Sequence, residues 1–164
     1  MALTFEDLRV LQSAEAVADG IWRQVVRWDP FAREVVGGQL AKAADSIGAN
    51  IAEAFGRFHY GEKLQFLYYA RGSLFEAKYW LNRARTRDLM PSAHVQDYVS
   101  QLTDLARQLN AFAATLKAQR QSSRSQPKAM REAATAYVTD WLDDVPVPLF
   151  TEEELEWFPT IPNI

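Results

Sequence analysis

The sequence predicts an all-α protein, an antiparallel up-down-up-down four-helix bundle followed by a C-terminal helical tail. Apolar residues recur at the helical period of about 3.6 residues over four long stretches of the chain. The connections between these stretches are short, which forces neighbouring helices to run antiparallel. No stretch of useful length shows the alternation of polar and apolar residues that is typical of strands.

The first two helical patterns lie before residue 59. Thr4 is a candidate N-cap for the first helix. This helix ends before Trp28-Asp29-Pro30, because the residue before a proline avoids the helical region. The second runs from about residue 32 or 35 to residue 58, and Gly37-Gly38 weakens its first turns. Its apolar face is formed by Val36, Leu40, Ala43, Ile47, Ile51, Ala54 and Phe58.

The third pattern runs from about Gly61 to Arg87, and the fourth begins at Ser92, a candidate N-cap. The core row of the third pattern has the alternating three- and four-residue spacing of bundle seams. It consists of Leu67, Ala70, Leu74, Ala77, Leu81 and Ala84. The fourth has the cleanest amphipathic pattern in the chain, from Val95 to Leu116.

Composition and charge indicate a globular body with an acidic tail. The chain has 164 residues, 48% of them hydrophobic, and the absence of cysteine excludes disulfides and cysteine-ligated zinc. Residues 1–119 hold 14 Lys and Arg against 13 Asp and Glu, whereas residues 120–164 hold 4 against 8. We interpret residues 1–119 as the four-helix bundle and residues 120–164 as a linker with a short helical tail.

The predicted location is the cytoplasm. Glu6 and Asp7 lie where a signal peptide carries positive charge. No apolar run approaches the roughly 18 residues of a membrane span, so no membrane partner is expected.

The tail combines acids with large apolar residues. Residues 120–127 have the composition of a polar linker, residues 129–142 predict a fifth, shorter helix, and Thr151 to Glu154 form a capping-box pattern. A tail with so many large apolar groups is expected to dock on its own bundle or on a neighbouring one. The docking candidates are Tyr137, Trp141, Trp157 and Phe158. A partner-binding arm and an acidic strip that covers basic residues are the alternatives.

Two consecutive segments carry a family resemblance. They are QLAKAADSIGANIAEAFGR at 39–57 and EKLQFLYYARGSLFEAKYWLNRA at 62–84. They resemble the four-helix-bundle family of proteins encoded in 23S ribosomal RNA intervening sequences. The pattern residues are Gln39-Leu40, Ser46-Ile47, Asn50-Ile51-Ala52-Glu53, Gly56-Arg57, Ala70, Gly72-Ser73-Leu74 and Glu76.

The resemblance covers residues 36–86 specifically and residues 3–117 in pattern, with two departures. Ala54 stands where the family usually has glycine, and Lys42 stands where it commonly has arginine, which would make an anion contact there weaker and monodentate. The resemblance implies a homo-oligomer, commonly a pentameric ring of bundles, without known catalysis or cofactor. Accessory proteins of diversity-generating retroelements are similar at the level of fold, and they hold nucleic acid and a reverse transcriptase on a basic ring.

A polar row borders the apolar face of the second helix. A row in this position is partly desolvated and needs partners. It includes Ser46, Asn50, Glu53 and Arg57. One interpretation is a hydrogen-bond network between helices or between subunits, and the other is a grip on a ligand or an RNA phosphate.

The flanks of the third helix provide the leading functional hypotheses. Residues 57–87 carry a net charge of +5, and Arg71, Lys78 and Arg85 recur every seven residues on one flank. With Arg57 and Lys63 they are candidates for nucleic-acid binding, while solvated surface charge is the alternative. The opposite flank carries Phe66, Ser73 and Trp80, also seven residues apart, as candidates for an oligomer interface.

The residues do not favour an enzyme. Neither His59 nor His94 follows a glutamate by three positions, as a di-iron bundle requires, and Glu76 is expected on the outward face. We therefore expect a non-enzymatic homo-oligomeric scaffold or adaptor, with an RNA- or DNA-binding accessory factor to a reverse transcriptase as the alternative.

Overall fold

A computed structural model describes residues 8–124 and 146–162 of the chain. Four long helices follow one another: α1 (Arg9–Val25), α2 (30–56), α3 (Tyr60–Thr86) and α4 (Ser92–Arg124). A short helix, α5 (Glu152–Trp157), lies in the second described range. Together they form the all-α bundle with a C-terminal helix that the periodicity predicts.

Helix α2 is continuous but irregular at its start. It comprises an α-helical turn (Pro30–Ala32), a π-helical segment (Arg33–Gly37) and an α-helix (Gly38–Gly56). Proline at the first helical position has no N–H to leave unpaired. The Asp29 carboxylate caps this end by accepting hydrogen bonds from the N–H groups of Phe31 and Ala32, each at 3.1 Å.

Helix α3 ends in a Schellman motif. Asp88 adopts the left-handed conformation with φ of 55°. The N–H of Leu89 then donates to the carbonyl of Ala84 at 2.9 Å, and the N–H of Asp88 donates to that of Arg85 at 3.0 Å. This tight closure starts the turn into α4.

Contacts between residue pairs show that the neighbouring helices are antiparallel. As the residue number rises along one helix it falls along its partner, for α1 against α2, α1 against α4, and α3 against α4 (through the segment that lies on both). The pairs are Ala14 with Gly48, Val25 with Gly37, Ser13 with Gln108, Gly20 with Tyr98, Arg71 with Asn110 through residues 149–150, and Arg85 with Gln96 through residues 159–162.

The core is a continuous apolar seam between the four long helices. Its largest side chains are fully buried, as the predicted core rows require. They include Ile21, Leu40, Ile47, Ile51, Leu67, Leu74, Leu81, Leu102, Leu105 and Leu109. Leu149, Phe150, Leu155 and Phe158 from the second described range belong to the same buried cluster. Residues 146–162, which we call the C-terminal segment, therefore pack on the bundle.

Several predicted boundaries differ from the structure. Helix α2 ends at Gly56, so Phe58 is not part of its apolar face and is 81% exposed. Helix α4 starts with Ser92 inside the helix and continues through the predicted linker as far as Arg124. Nothing in Arg120 to Arg124 stops a helix, because the first proline after it is Pro127.

Some predictions fall outside the described residues: the Thr4 cap, the helix at 129–142, and the docking of Tyr137 and Trp141. The capping box at α5 is confirmed, with Thr151 and Glu154 each accepting a hydrogen bond from the other's N–H. In the described ranges, no helix combines the length and apolar character needed to traverse a lipid bilayer.

Candidate functional site

The C-terminal segment lies in a groove between α3 and α4. The groove-lining residues that contact the segment through hydrogen bonds or rings are Arg71, Phe75, Lys78, Arg85, Gln96 and Asn110, and we call this surface the C-terminal groove. The segment runs parallel to α3 and antiparallel to α4, since Leu149 lies at Arg71 and Pro162 at Arg85. The cations that recur every seven residues on α3, which are Arg71, Lys78 and Arg85, therefore contact the C-terminal segment.

Arg71 contacts the start of the segment with two groups. Its Nε donates to the carbonyl of Leu149 at 2.7 Å, and its guanidinium pairs with the Glu154 carboxylate. The guanidinium carbon also lies 4.8 Å from the Phe75 ring centre and 5.4 Å from that of Phe150. The planar guanidinium of arginine suits this site, because it can donate hydrogen bonds from several nitrogens and stack on aromatic rings at the same time.

Lys78 is the buried cation of the row, with 8% of its surface exposed. Its Nζ donates to the carbonyl of Phe158 and lies 4.9 and 4.7 Å from the ring centres of Trp157 and Phe158. Burial lowers the pKa of Lys78 below its usual 10.5, because desolvation disfavours the charged amine.

Arg85 lies at the far end of the groove. Its guanidinium donates to the carbonyl of Pro162 at 2.7 Å. Its Nε and the Oδ1 of Asn82, one helical turn earlier, are buried without a hydrogen-bond partner among the described residues. A donor and an acceptor on the last turns of α3, near this end of the groove, thus remain unsatisfied.

The α4 wall pairs with the backbone of the segment. Asn110 accepts from the N–H of Phe150 at 2.9 Å through Oδ1 and donates to its carbonyl at 2.8 Å through Nδ2. One side-chain amide therefore satisfies both main-chain groups of a fully buried residue. Gln96 donates to the carbonyl of Pro159 at 3.2 Å.

Aromatic packing fixes the segment between these polar contacts. The Phe75 ring stacks on Phe150 with centres 5.8 Å apart and meets Phe158 edge-on at 5.2 Å. Phe150 and Phe158 have no exposed surface, whereas Trp157 is 43% exposed. Of the two tail-docking candidates that the structure describes, Phe158 is thus an anchor and Trp157 lies at the rim.

The other flank of α3 forms a second surface with α2, which we call the α2/α3 face. Its residues that the sequence analysis proposed are Ser46, Asn50, Glu53, Arg57, Phe66, Ser73 and Trp80. Asn50 Nδ2 donates to the carbonyl of Ser46 at 2.8 Å and to Ser73 Oγ at 3.4 Å. The polar row therefore joins α2 to α3 within one chain.

Near the C-terminal end of α2, the α2/α3 face carries charged and aromatic side chains. Arg57 pairs with Glu53 and lies 4.6 Å from the Phe66 ring centre. Phe66 and Trp80 are partly buried against the core. Tyr69, which is 48% exposed, meets Phe66 edge-on with ring centres 5.6 Å apart, and Tyr79 meets Trp80 in the same way at 5.1 Å. Lys63 donates to the carbonyl of Phe55 at 3.5 Å.

An open groove of about 430 Å³ lies between α1 and α2. Small side chains form its floor, and Glu15, Asp19 and Asp45 lie along it. We call it the α1/α2 groove. In the described ranges, His, Asp and Glu side chains do not gather in threes at metal-binding distance.

Some residues that complete the C-terminal groove were not predicted from the sequence. Phe75, Gln96 and Asn110 were not named as candidates, although Phe75 lies only about 60° around the helix from Lys78 at 100° per residue. That placement is readable from the sequence. The pairing of Asn110 with Phe150 cannot be predicted from the sequence, because it depends on the register of the segment along α4.

Comparison with known protein families gives a match. The family model described as "23S rRNA-intervening sequence protein" matches residues 6–111. The match covers more than half of the chain and spans α1, α2, α3 and most of α4. It leaves out the C-terminal segment. No curated protein matches the chain.

Proposed function

The chain belongs to the 23S rRNA-intervening sequence protein family, and from this membership we propose that it is a non-enzymatic, homo-oligomeric scaffold. We propose a ring, with five copies favoured, that engages a protein or nucleic-acid partner in the cytoplasm. The observation that carries the proposal is the α2/α3 face. It combines a satisfied polar row with aromatic side chains that stay partly exposed, such as Tyr69 at 48%.

Such a face has the composition of a subunit interface. Aromatic residues and arginine are enriched where subunits meet, because they bury large areas and still satisfy polar partners. The paired Glu53 and Arg57 lie half-exposed at its edge, where they can set the register between copies.

A ring needs a second, different surface on each copy, since its interfaces are heterologous. The α1/α2 groove is our candidate. Its floor of small residues admits large side chains, and Glu15, Asp19 and Asp45 complement Arg57 of a neighbouring copy. In the proposed ring, the α2/α3 face of one copy packs on the α1/α2 groove of the next.

Light scattering of the purified full chain tests the ring. We expect a mass of about five times 18.7 kDa at micromolar concentration. Tyr69→Glu should shift the mass towards a single copy, because a buried, unpaired carboxylate opposes association. Ala49→Trp, which fills the α1/α2 groove, should do the same from the other side.

Tyr68→Glu is the matched control for Tyr69→Glu. Tyr68 lies on the same helix, is 41% exposed and lies 5.6 Å from Arg71 on the side of the C-terminal groove, where the cation would accommodate the new carboxylate. Its mass should equal that of the unchanged chain. A single copy of the unchanged chain at micromolar concentration would refute the ring.

A nucleic-acid accessory factor, for instance to a reverse transcriptase, is the second candidate. The net charge of +5 over residues 57–87 favours it. Against it, Arg71, Lys78 and Arg85 are engaged by the C-terminal segment. Fluorescence anisotropy with single-stranded RNA between 50 and 200 mM salt tests this role, which predicts binding that weakens steeply as salt rises.

A further inference from the structure

The C-terminal groove recognises its occupant mainly through the main chain. Except for the Arg71–Glu154 pair, the hydrogen bonds described from the groove to the segment end on backbone atoms. The largest buried side chains of the segment are Phe150 and Phe158, eight residues apart, with Leu149 and Leu155 beside them and Glu154 midway between the two phenylalanines. The short helix α5 brings the two phenylalanine rings to 6.1 Å from each other, so a segment with this pattern and a helix between the phenylalanines presents the same groups.

The chemistry of the groove favours a peptide over a nucleic acid. Lys78 is 8% exposed when the segment is bound, and the rings that enclose it, Trp157 and Phe158, belong to the segment. A peptide with aromatic side chains at these positions encloses the amine again, whereas a phosphate does not supply such rings. A peptide carbonyl carries no net charge and is satisfied there at lower cost. The two phenylalanine sites beside Phe75 likewise accept apolar anchors.

Polar atoms near the groove could also make further hydrogen bonds with a bound segment. Near the end of the groove, three polar atoms of α3 are buried without a partner among the described residues: the acceptor Asn82 Oδ1 and the donors Arg83 Nε and Arg85 Nε. Of these residues, Arg85 contacts the segment. A peptide group supplies one N–H and one carbonyl, the same pair that Asn110 satisfies in Phe150. A segment that reached Asn82 Oδ1 and Arg85 Nε would gain two hydrogen bonds over the present contacts.

We propose that the C-terminal groove is a peptide-binding site for a protein partner that presents a segment with the pattern Phe-x3-Glu-x3-Phe, folded into a short helix between its two phenylalanines as α5 is. The chain's own C-terminal segment is the resident occupant, and the partner displaces it. The proposal is independent of the ring, because it concerns α3 and α4 on the side away from the α2/α3 face.

The test makes the resident segment exchangeable in the full chain. A protease site is inserted between residues 126 and 144 and cut after purification. A fluorescein-labelled peptide of residues 146–162, PVPLFTEEELEWFPTIP, then serves as the probe. We expect saturable exchange of the peptide into the groove, with the helical circular dichroism of the bundle retained.

Variants and controls locate the binding. A probe with serine in place of both phenylalanines should bind at least about 100-fold more weakly, since it loses two buried rings. Asn110→Ala in the chain should weaken binding about tenfold or more. Gln101→Ala should leave it unchanged, because that amide lies on the same helix and its hydrogen bond within the described ranges is to the exposed side chain of Asp97.

Three results would overturn the proposal. The cut segment could fail to exchange, the bundle could lose its helicity as the segment leaves, or a 17-nucleotide single-stranded RNA could displace the segment as well as the peptide does. If the inserted site prevents folding, the uncut chain with Phe150→Ser and Phe158→Ser replaces it. The labelled peptide should bind that chain at least about tenfold more tightly than the unchanged one, whose groove is occupied.

Discussion

At the scale of single residues, the C-terminal groove depends on groups that satisfy backbone atoms in a dry site. A buried main-chain group without a partner loses its hydration and gains nothing in return. Asn110 and Lys78 prevent that for Phe150 and Phe158. The net stabilisation from these hydrogen bonds is modest. Removing either side chain would cost more than that, because it would leave buried backbone groups of the segment unpaired.

Replacing Asn110 with alanine should therefore loosen the segment strongly. Two buried backbone groups of Phe150 would lose their partner, at about 1–3 kcal/mol each. Amide hydrogen exchange of Phe150 measures the change as a loss of protection. Asn110→Asp keeps the acceptor and loses the donor, so its protection should be intermediate. Protection in both variants equal to that in the unchanged chain would show that the pairing is not what holds Phe150.

Ionisation of the Tyr98 phenol should lower the free energy of unfolding at alkaline pH. Burial raises the pKa of Tyr98 above its usual 10.0, and a hydrogen bond with Gln24 partly opposes the shift. An acid with a raised folded-state pKa contributes stability that is fully present below pH 10 and is lost as pH rises above it.

The chain should therefore lose more stability between pH 10 and pH 11 than its Tyr98→Phe variant. One proton accounts for at most about 1.4 kcal/mol per pH unit. Urea unfolding at the two pH values, followed by circular dichroism, measures the difference. Parallel pH dependence in the two proteins would contradict the assignment to Tyr98.

At the scale of elements, the two glycines at the start of α2 have different reasons to be there. Both have ordinary helical φ angles, so neither is required by the backbone. A Cβ on Gly37 would lie 2.6 Å from Val25 Cγ1, whereas one on Gly38 meets nothing closer than 3.8 Å. Gly37 thus permits the close crossing of α1 and α2, and Gly38 contributes only flexibility.

The pair gives a matched prediction one residue apart. Gly37→Ala should destabilise the bundle by about 1–3 kcal/mol, the usual cost of overpacking a core. Gly38→Ala should stabilise it by about 0.5–1 kcal/mol, because alanine loses less chain entropy in a helix. Urea denaturation of both variants measures the two signs. Stabilisation by both substitutions would mean that the crossing tolerates a methyl group.

The helices and their core faces can be predicted from the sequence, because the apolar residues that recur at the helical period are also the residues that are buried. Leu67, Leu74 and Leu81 have no exposed surface, as their spacing predicts. Helix ends are harder to predict, because caps and propensities compete over a few residues. The π-helical segment at Arg33–Gly37 has no periodic signal, and the extension of α4 to Arg124 passes through residues with the composition of a loop.

The candidate site divides in the same way. The cation row and the aromatic flank of α3 could be placed on opposite sides of one helix from spacing alone. What covers each row could not, because the pattern of a charged flank is the same whether it faces water, phosphate or a peptide. Arg71, Lys78 and Arg85 contact an acidic segment about 80 residues away in sequence, and only tertiary packing determines that choice.

At the scale of the whole molecule, the C-terminal segment and the bundle share one buried cluster and differ in how they are attached. The bundle helices contact each other along their length, whereas the segment is held by one groove. Elements held by fewer contacts open at lower free energy than the core. The charge division at residue 119 predicts the same separation from sequence.

Native-state hydrogen exchange should therefore resolve two opening reactions in the unchanged chain. The amides of Leu155 and Phe158 should exchange by release of the segment, at a lower free energy than those of Leu74 and Leu105. Phe158→Ala should reduce the first free energy by about 3–5 kcal/mol, or abolish protection, and leave the second nearly unchanged. Trp157→Ala, at a rim position 43% exposed, should change it by less than about 1 kcal/mol. If all four amides instead exchange at one common free energy, segment and bundle form a single cooperative unit, and the groove is part of the core of the molecule, closed to any other occupant.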